Sequence, residues 1–209
     1  MIINEIFHSI QGEGKNIGLP TVFIRTTGCN LRCSFCDTKY AYDEGEEKTI
    51  EEIKKEIQKY KCKNVCITGG EPLIQKETLN LINELSKEGY FLTIETNGSI
   101  DIKPLTKNEK ITISLDIKCP SSKMNKEMIL ENITNLQYKD QLKFIINDEE
   151  DYKYASKTIK QYDIACTIFF QPVWGTDIKK LAEQILKDKL DVRLGLQAHK
   201  IIWGEVRGK

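Results

Sequence analysis

Neither charge sign is in excess: 31 Lys and Arg residues balance 31 Asp and Glu. A surface built to grip a polyanion is therefore not expected, and direct nucleic-acid binding is not the default reading. No run of about 18 apolar residues occurs, so no membrane span is expected. The opening Met1-Ile-Ile-Asn-Glu lacks a basic n-region and an apolar h-region, which argues against secretion and for a cytoplasmic protein. Histidine is scarce, with two in the chain. Seven cysteines in such a setting read as thiols or ligands rather than a disulfide framework, and the odd count agrees.

What remains is ordinary soluble chemistry, 40% apolar and 30% charged over 209 residues, enough for one domain with a real core. Short β-rich runs alternate with amphipathic helices. Strands are expected at 21–25, 65–67, 91–94, 111–115, 142–146, 167–170 and 192–194. Between them, Thr49 and Glu52 form a capping box for a helix that presents Ile50, Ile53, Ile57 and Tyr60 on one face. A second helix turns Leu79, Ile82 and Leu85 inward and stops at Gly89. Further helices are expected at about 125–136 and 149–161, and one capped by Thr176. The alternation implies right-handed crossovers and a parallel sheet. A complete eight-stranded barrel needs about 250 residues. The expected fold is therefore α/β, a partial (β/α) barrel of about six parallel strands. It forms a single domain over 1–209: an N-terminal strand and loop over 1–20, a barrel core over 21–196 and a tail over 197–209.

In such sheets the chemistry collects at the carboxyl ends of the strands. Every unusual segment of this sequence falls there. Cys29-x3-Cys33-x2-Cys36 follows the first core strand, Thr68-Gly-Gly-Glu-Pro72 the second and Glu95-Thr-Asn-Gly98 the third. Ser114 to Lys118 closes the fourth, and Gln171-Pro-Val-Trp174 follows a later one.

Three thiolates within eight residues of one loop can face a single centre. Structural zinc and most iron–sulfur clusters take four ligands. Three cysteines on a 4Fe–4S cluster leave one iron open to an exogenous ligand. A zinc knuckle completed by His8, His199 or Cys119 is the alternative. Cys62 and Cys66 repeat the x3 spacing, but Cys66 lies in a strand, where four residues span roughly 13 Å. They read as buried packing, as does Cys166, and Cys119 more as packing than as a reactive thiol.

The segment CNLRCSFC resembles the cysteine motif of radical S-adenosylmethionine (SAM) enzymes. That resemblance implies a 4Fe–4S cluster on Cys29, Cys33 and Cys36, with SAM on the open iron as the source of an adenosyl radical. It sets Phe35 near the adenine. The glycines after Thr68 let backbone approach a ligand, and Gly70 and Glu71 resemble the segment that pairs with the SAM amino group. Glu95 and Asn97 resemble the segment reaching the ribose and methionine portion; a plain Asn-Gly turn is the alternative. Ser114, Asp116 and Lys118 lie where a strand end can bond ribose or carboxylate, or only water. Gln171 resembles an adenine contact, and Trp174 reads as an apolar plug.

The flanks narrow the resemblance. Ile6-Phe-His-Ser-Ile-Gln-Gly-Glu-Gly14, Arg25, Cys36-Asp-Thr38 and Leu196-Gln-Ala-His-Lys-Ile-Ile-Trp-Gly204 are similar to the 7-carboxy-7-deazaguanine synthases along the whole chain. This implies a magnesium-assisted ring contraction of 6-carboxy-5,6,7,8-tetrahydropterin with loss of ammonia. It also implies a homodimer and an electron donor such as flavodoxin or ferredoxin. Ile10, Gln11, Gly12 and Glu13 would then meet the pterin edge, and Arg25 its carboxylate through a bidentate fork. Thr68 and His199 would sit at substrate, Asp37 at cofactor, and Thr38 on magnesium. Arg25 in a surface ion pair, Gly12–Gly14 as a flexible turn and Thr38 as a loop cap are the plainer alternatives; His8 reads as structural. Ser114-Leu-Asp-Ile-Lys118 departs from the Ser-Pro-Lys of many members. The rival activity is a radical SAM activase of a glycyl radical enzyme.

Overall fold

Inner and outer positions of the strands differ in chemistry, and this decides the architecture. A computed structural model describes residues 1–209. In chain order the elements are β1 (Ile2–Ile10), β2 (Pro20–Thr26), β3 (Glu46–Glu47), α1 (Ile50–Gln58), β4 (Asn64–Gly69), α2 (Thr78–Lys87), β5 (Phe91–Thr96) and β6 (Ile111–Lys118). They continue with α3 (Asn132–Asn135), β7 (Gln141–Ile146), α4 (Glu149–Thr158), β8 (Thr167–Pro172), α5 (Ile178–Asp188), β9 (Arg193–Leu194) and α6 (Ala198–Trp203). One sheet runs in the order β3-β1-β2-β4-β5-β6-β7-β8-β9. From β2 to β9 every pairing is parallel, which gives six full strands and a two-residue seventh. The partial barrel is the fold observed.

Alternate strand residues face opposite sides. Val22, Ile24, Val65, Ile67, Ile113, Leu115, Ile117, Leu142 and Phe144 point outward and are fully buried against the helices. Their neighbours Arg25, Thr68, Glu95, Asp116, Lys118 and Lys143 point inward and line one cavity. The apolar core is therefore the layer between sheet and helices, and the barrel interior carries charged and polar side chains among a few apolar ones such as Phe23, Cys66 and Ile145.

The capping box of α1 forms as expected, with Glu52 N donating to Thr49 Oγ at 3.2 Å and Thr49 N donating to Glu52 at 2.8 Å. Three local expectations are corrected. In α2 the buried stripe is Thr78, Leu81, Ile82 and Leu85, at helical spacing from the first residue, and Leu79 lies off that face and is exposed. The helix expected over 125–136 shrinks to α3 and a preceding 3-10 turn. Its polar groups bond to the barrel rim instead: Ile129 N donates to Gly98 O, and the Asn132 amide donates to Gly98 O and Ile100 O. The cap of α5 is Asp177, whose carboxylate accepts from Lys180 N, while the Thr176 hydroxyl donates to Val173 O.

β1 lies antiparallel along the edge of β2, and the loop after it turns under the amino ends of the barrel strands. Lys15 N donates to the Gln141 amide at 2.7 Å, and the Asn16 amide donates to Thr93 Oγ at 3.2 Å. This loop floors the barrel. Gly14 makes the turn at φ +70°, where a Cβ would lie 2.2 Å from the Gln141 amide.

Candidate active site

The inner faces of β2 and of β4 to β8 enclose a cavity of about 450 Å³, the size of small-molecule sites. Nineteen of the residues singled out in the sequence reach its wall. Ile10 comes from the end of β1, and Gln11, Gly12 and Glu13 from the floor loop. Arg25, Thr68, Glu95, Asp116, Lys118 and Gln171 come from strands. Cys29, Cys33, Phe35, Cys36, Asp37, Thr38, Gly70 and Asn97 come from rim loops, and His199 from α6.

Glu71 and Ser114 do not reach the wall; both are fully buried behind it. The Glu71 carboxylate accepts from Leu73 N at 3.0 Å, Thr96 Oγ at 2.9 Å and Asn97 N at 2.6 Å. It braces the turns carrying Gly70 and Asn97, and burial still pushes its carboxyl up to about 7. Ser114 Oγ accepts from the Gln141 amide at 2.7 Å.

The cysteine loop is held on both sides. Gly28 N donates to Ala41 O at 2.8 Å, and Ser34 N donates to Ser122 O at 3.1 Å. Gly70 passes so close that a Cβ would lie 2.2 Å from Gly28 O and 2.7 Å from Cys29 Cβ. All three thiols are free and half-buried. Burial pushes Cys29 and Cys33 up in pKa. Leu31 N and the Asn97 amide point at Cys29 Sγ from 3.4 and 3.8 Å, donors suited to a metal-bound thiolate.

Arg25 Nε donates to Glu5 at 2.7 Å, and the guanidinium stands 5.8 Å from the Phe7 and Tyr40 ring centres. Its two terminal amines have no protein partner, so the ion pair orients the fork without using it. His199 packs on the floor, where a Cβ on Gly12 would lie 2.0 Å from its Nδ1. Burial holds its imidazole below the ordinary pKa despite the nearby Glu13 carboxylate. Thr38 Oγ donates to Asp37 at 2.9 Å. Both polar atoms of the Gln171 amide are buried at the cavity wall without a partner, backed closely by Gly195.

Comparison with known proteins agrees with this arrangement. Residues 23–170 match the family model of the radical SAM superfamily. A 7-carboxy-7-deazaguanine synthase of Thermoplasma acidophilum is 41% identical, with both chains covered over their full length. Another, of Methanospirillum hungatei, is 41% identical over 97% of this chain and 85% of its own. A crystal structure of QueE from Escherichia coli superposes with a TM-score of 0.80 at 26% identity, covering 95% of this chain and 94% of that one. The chain belongs to the 7-carboxy-7-deazaguanine synthase family of radical SAM enzymes.

Membership brings a 4Fe–4S cluster and SAM as cofactors. The residues fit both. Three unpaired thiols on a braced loop provide the donor set for a cluster. The orphaned Gln171 amide and the Gly70 backbone offer polar partners for a nucleoside and an amino acid. No helix is long and apolar enough to cross a membrane.

Several wall residues escaped the sequence reading, chiefly Lys143, Gln197 and Lys200. Lys143 stands alone among apolar residues in Gln141-Leu-Lys-Phe-Ile-Ile146. That is the same signal that singles out Arg25 in β2. Gln197 and Lys200 belong to the C-terminal segment that carries the resemblance but received no site role there, because the role of the short α6 depends on where the tail folds back. Cys66 is fully buried on the inner face, and the Cys62 thiol donates to Pro20 O instead of sharing a centre with it.

Proposed function

We propose that the protein converts 6-carboxy-5,6,7,8-tetrahydropterin to 7-carboxy-7-deazaguanine and ammonia, with SAM used as a recycled cofactor. One observation carries the reading. One cavity is lined by a cationic fork, Arg25, by floor and wall carboxylates, Glu13 and Glu95, and by the thiols of the cysteine loop. A flat carboxylated heterocycle needs that pairing: a fork for its carboxylate and acceptors for its N–H edge.

Cys29, Cys33 and Cys36 would hold the cluster, Gly70, Asn97, Asp116, Lys118 and Gln171 the SAM, and Thr38 a magnesium ion that keeps most of its waters. When bound, the reduced cluster with SAM supplies the one-electron chemistry that starts hydrogen abstraction. The chain's own residues do the rest. Arg25 fixes the substrate carboxylate, the floor loop fixes the ring edge, and the neutral His199 closes the side from which α6 approaches. A flavodoxin or ferredoxin-type donor supplies the electron, the working form is a homodimer, and the setting is cytoplasmic. The balanced charge suits an enzyme that serves tRNA modification through a small molecule without binding tRNA.

The test is stoichiometric. Reduced enzyme, magnesium, substoichiometric SAM and the tetrahydropterin are mixed without oxygen, and ammonia and product are followed by mass spectrometry. Ammonia well above the SAM added supports the synthase, and Arg25→Ala suppresses it with the cluster intact. Deoxyadenosine formed one-for-one, with no deazaguanine, defeats the reading and leaves an activase as the alternative.

A further inference from the structure

Lys143 sits in the middle of β7 with 3% of its side chain exposed. Its ammonium lies 3.0 Å from Glu13 Oε2, 2.8 Å from Glu95 Oε2 and 3.1 Å from Asp116 Oδ1. These carboxylates come from three separate elements: the floor loop, β5 and β6. The ammonium donates hydrogen bonds to Glu13 and Glu95, and its charge is paired with Asp116 Oδ1, which accepts no hydrogen bond. The three acids, by contrast, each keep 18–19% of their side chains exposed. The ammonium is almost wholly covered where it meets the wall, and the anions present most of the polar surface there.

The remaining oxygens show what the arrangement offers. Glu13 Oε1 accepts from the Gln197 amide at 2.9 Å, and Asp116 Oδ2 from Lys118 at 2.7 Å. Glu95 Oε1 has no protein partner among the hydrogen bonds of the site. Lys143 thus locks the floor loop to two strands and leaves Glu13 and Glu95 side by side as acceptors. Without it, three acids in a buried pocket would face one another with only Lys118 to balance them, and like charges at that range do not all stay ionised.

We infer that Lys143 is a positioning residue for substrate recognition: by bridging Glu13, Glu95 and Asp116 it keeps a pair of ionised acceptors in place for the N–H-rich edge of a fused heterocycle. Its ammonium is turned to the acids, and it acts through Glu13 and Glu95. Around it, the charged and titratable groups are Glu13, Glu95, Asp116, Lys118 and the Cys66 thiol. Burial raises the Glu95 carboxyl even with Lys143 present, so losing the cation moves it further in the same direction.

The inference rests on the proposed pterin reaction, and the experiment separates the two. Wild-type, Lys143→Met, Glu13→Gln and the double variant are reconstituted with cluster, and KM for 6-carboxytetrahydropterin is measured from pH 6.5 to 9. If the wild type does not turn this substrate over, the functional reading fails. If it does, Lys143→Met is expected to raise KM about tenfold at pH 7, the worth of one buried charged hydrogen bond. Its cluster spectrum stays unchanged. KM then falls as pH rises, because raising pH ionises acids that have lost their counter-charge. Wild-type KM stays flatter over the same range. Should Lys143→Met not fold, the double variant carries the test: its KM falls with pH through the uncompensated Glu95, whereas that of Glu13→Gln does not. A KM that is both wild-type in size and flat with pH, in a folded enzyme lacking Lys143, overturns the inference.

Discussion

Lys200 of α6 is ion-paired to Asp37, with Nζ and Oδ2 2.5 Å apart, and its ammonium lies 5.8 Å from the Trp174 ring centre. Asp37 stands between Cys36 and Thr38, so the C-terminal helix is tied to the cysteine loop between two proposed ligands. Burial alone would raise the Asp37 carboxyl, but Lys200 outweighs it and holds the carboxyl below the ordinary range. Lys200→Met removes the tether. With Asp37 half-exposed, the expected effect is modest, on the order of 1 kcal/mol. Iron loss to a chelator should run roughly fivefold faster, and Lys200→Arg should restore part of the difference. Equal rates in all three proteins would reduce the pair to an ornament of the surface.

The cysteines divide by position. Cys29→Ala, Cys33→Ala and Cys36→Ala should each abolish the broad visible absorbance of the reconstituted protein and its SAM cleavage. Cys62→Ala and Cys66→Ala should keep both. Cys66 is fully buried, so its loss costs about 1 kcal/mol of packing and leaves the loop untouched. A folded Cys66→Ala protein without the absorbance would contradict this division.

Thr38 is tested by magnesium. Thr38→Ala should keep the cluster and SAM binding, while turnover falls and more magnesium is needed for half-maximal rate. An unchanged magnesium dependence would make Thr38 a loop cap that bonds Asp37 and nothing more.

Glu71 is expected to matter for the fold of the rim. Its carboxylate faces only donors, Leu73 N, Thr96 Oγ and Asn97 N, so an amide would set its own NH2 against one of them. Glu71→Gln should destabilise the apo protein by about 1–3 kcal/mol, read by denaturant unfolding. The pH profile adds a signature. With a folded pKa of about 7 against 4.5 unfolded, the folded state holds the proton more tightly. This group's contribution is full below 4.5 and declines as pH rises to about 7, a slope that Glu71→Gln should lack.

The sequence reveals the rim better than the interior. Cys29–Cys36, Thr68–Pro72 and Glu95–Gly98 follow strand ends, where a parallel sheet exposes backbone, and the structure gathers them at one mouth. Glu71 shows the limit of that logic, because a motif residue can serve the motif by holding its neighbours. Lys143 was missed although it interrupts an apolar strand, since its meaning depends on Glu13 being carried under the barrel by a turn that no local pattern fixes. The helix expected over 125–136 is cut short because Ile129 and Asn132 donate to the carbonyls of Gly98 and Ile100, which a distant element supplies.

Gln171 offers a prediction in which stability and affinity move in opposite directions. Its amide is buried at the cavity wall with neither Nε2 nor Oε1 bonded, and Gly195 presses against it, a Cβ there lying 2.2 Å from Oε1. A buried amide without partners costs about 1–3 kcal/mol, and the apo protein bears that cost. Gln171→Met keeps the length of the side chain and removes the orphaned groups. The apo variant should therefore unfold at the same or higher denaturant concentration than wild type. SAM binding should weaken, by about tenfold if the amide makes one good hydrogen bond in the complex. Equilibrium binding of SAM to the cluster-loaded proteins, set beside unfolding of the apo proteins, measures both. Weaker binding with lower stability would mean that the change merely disturbs β8. Unchanged binding with higher stability would remove Gln171 from the cofactor wall and leave its burial there without a function.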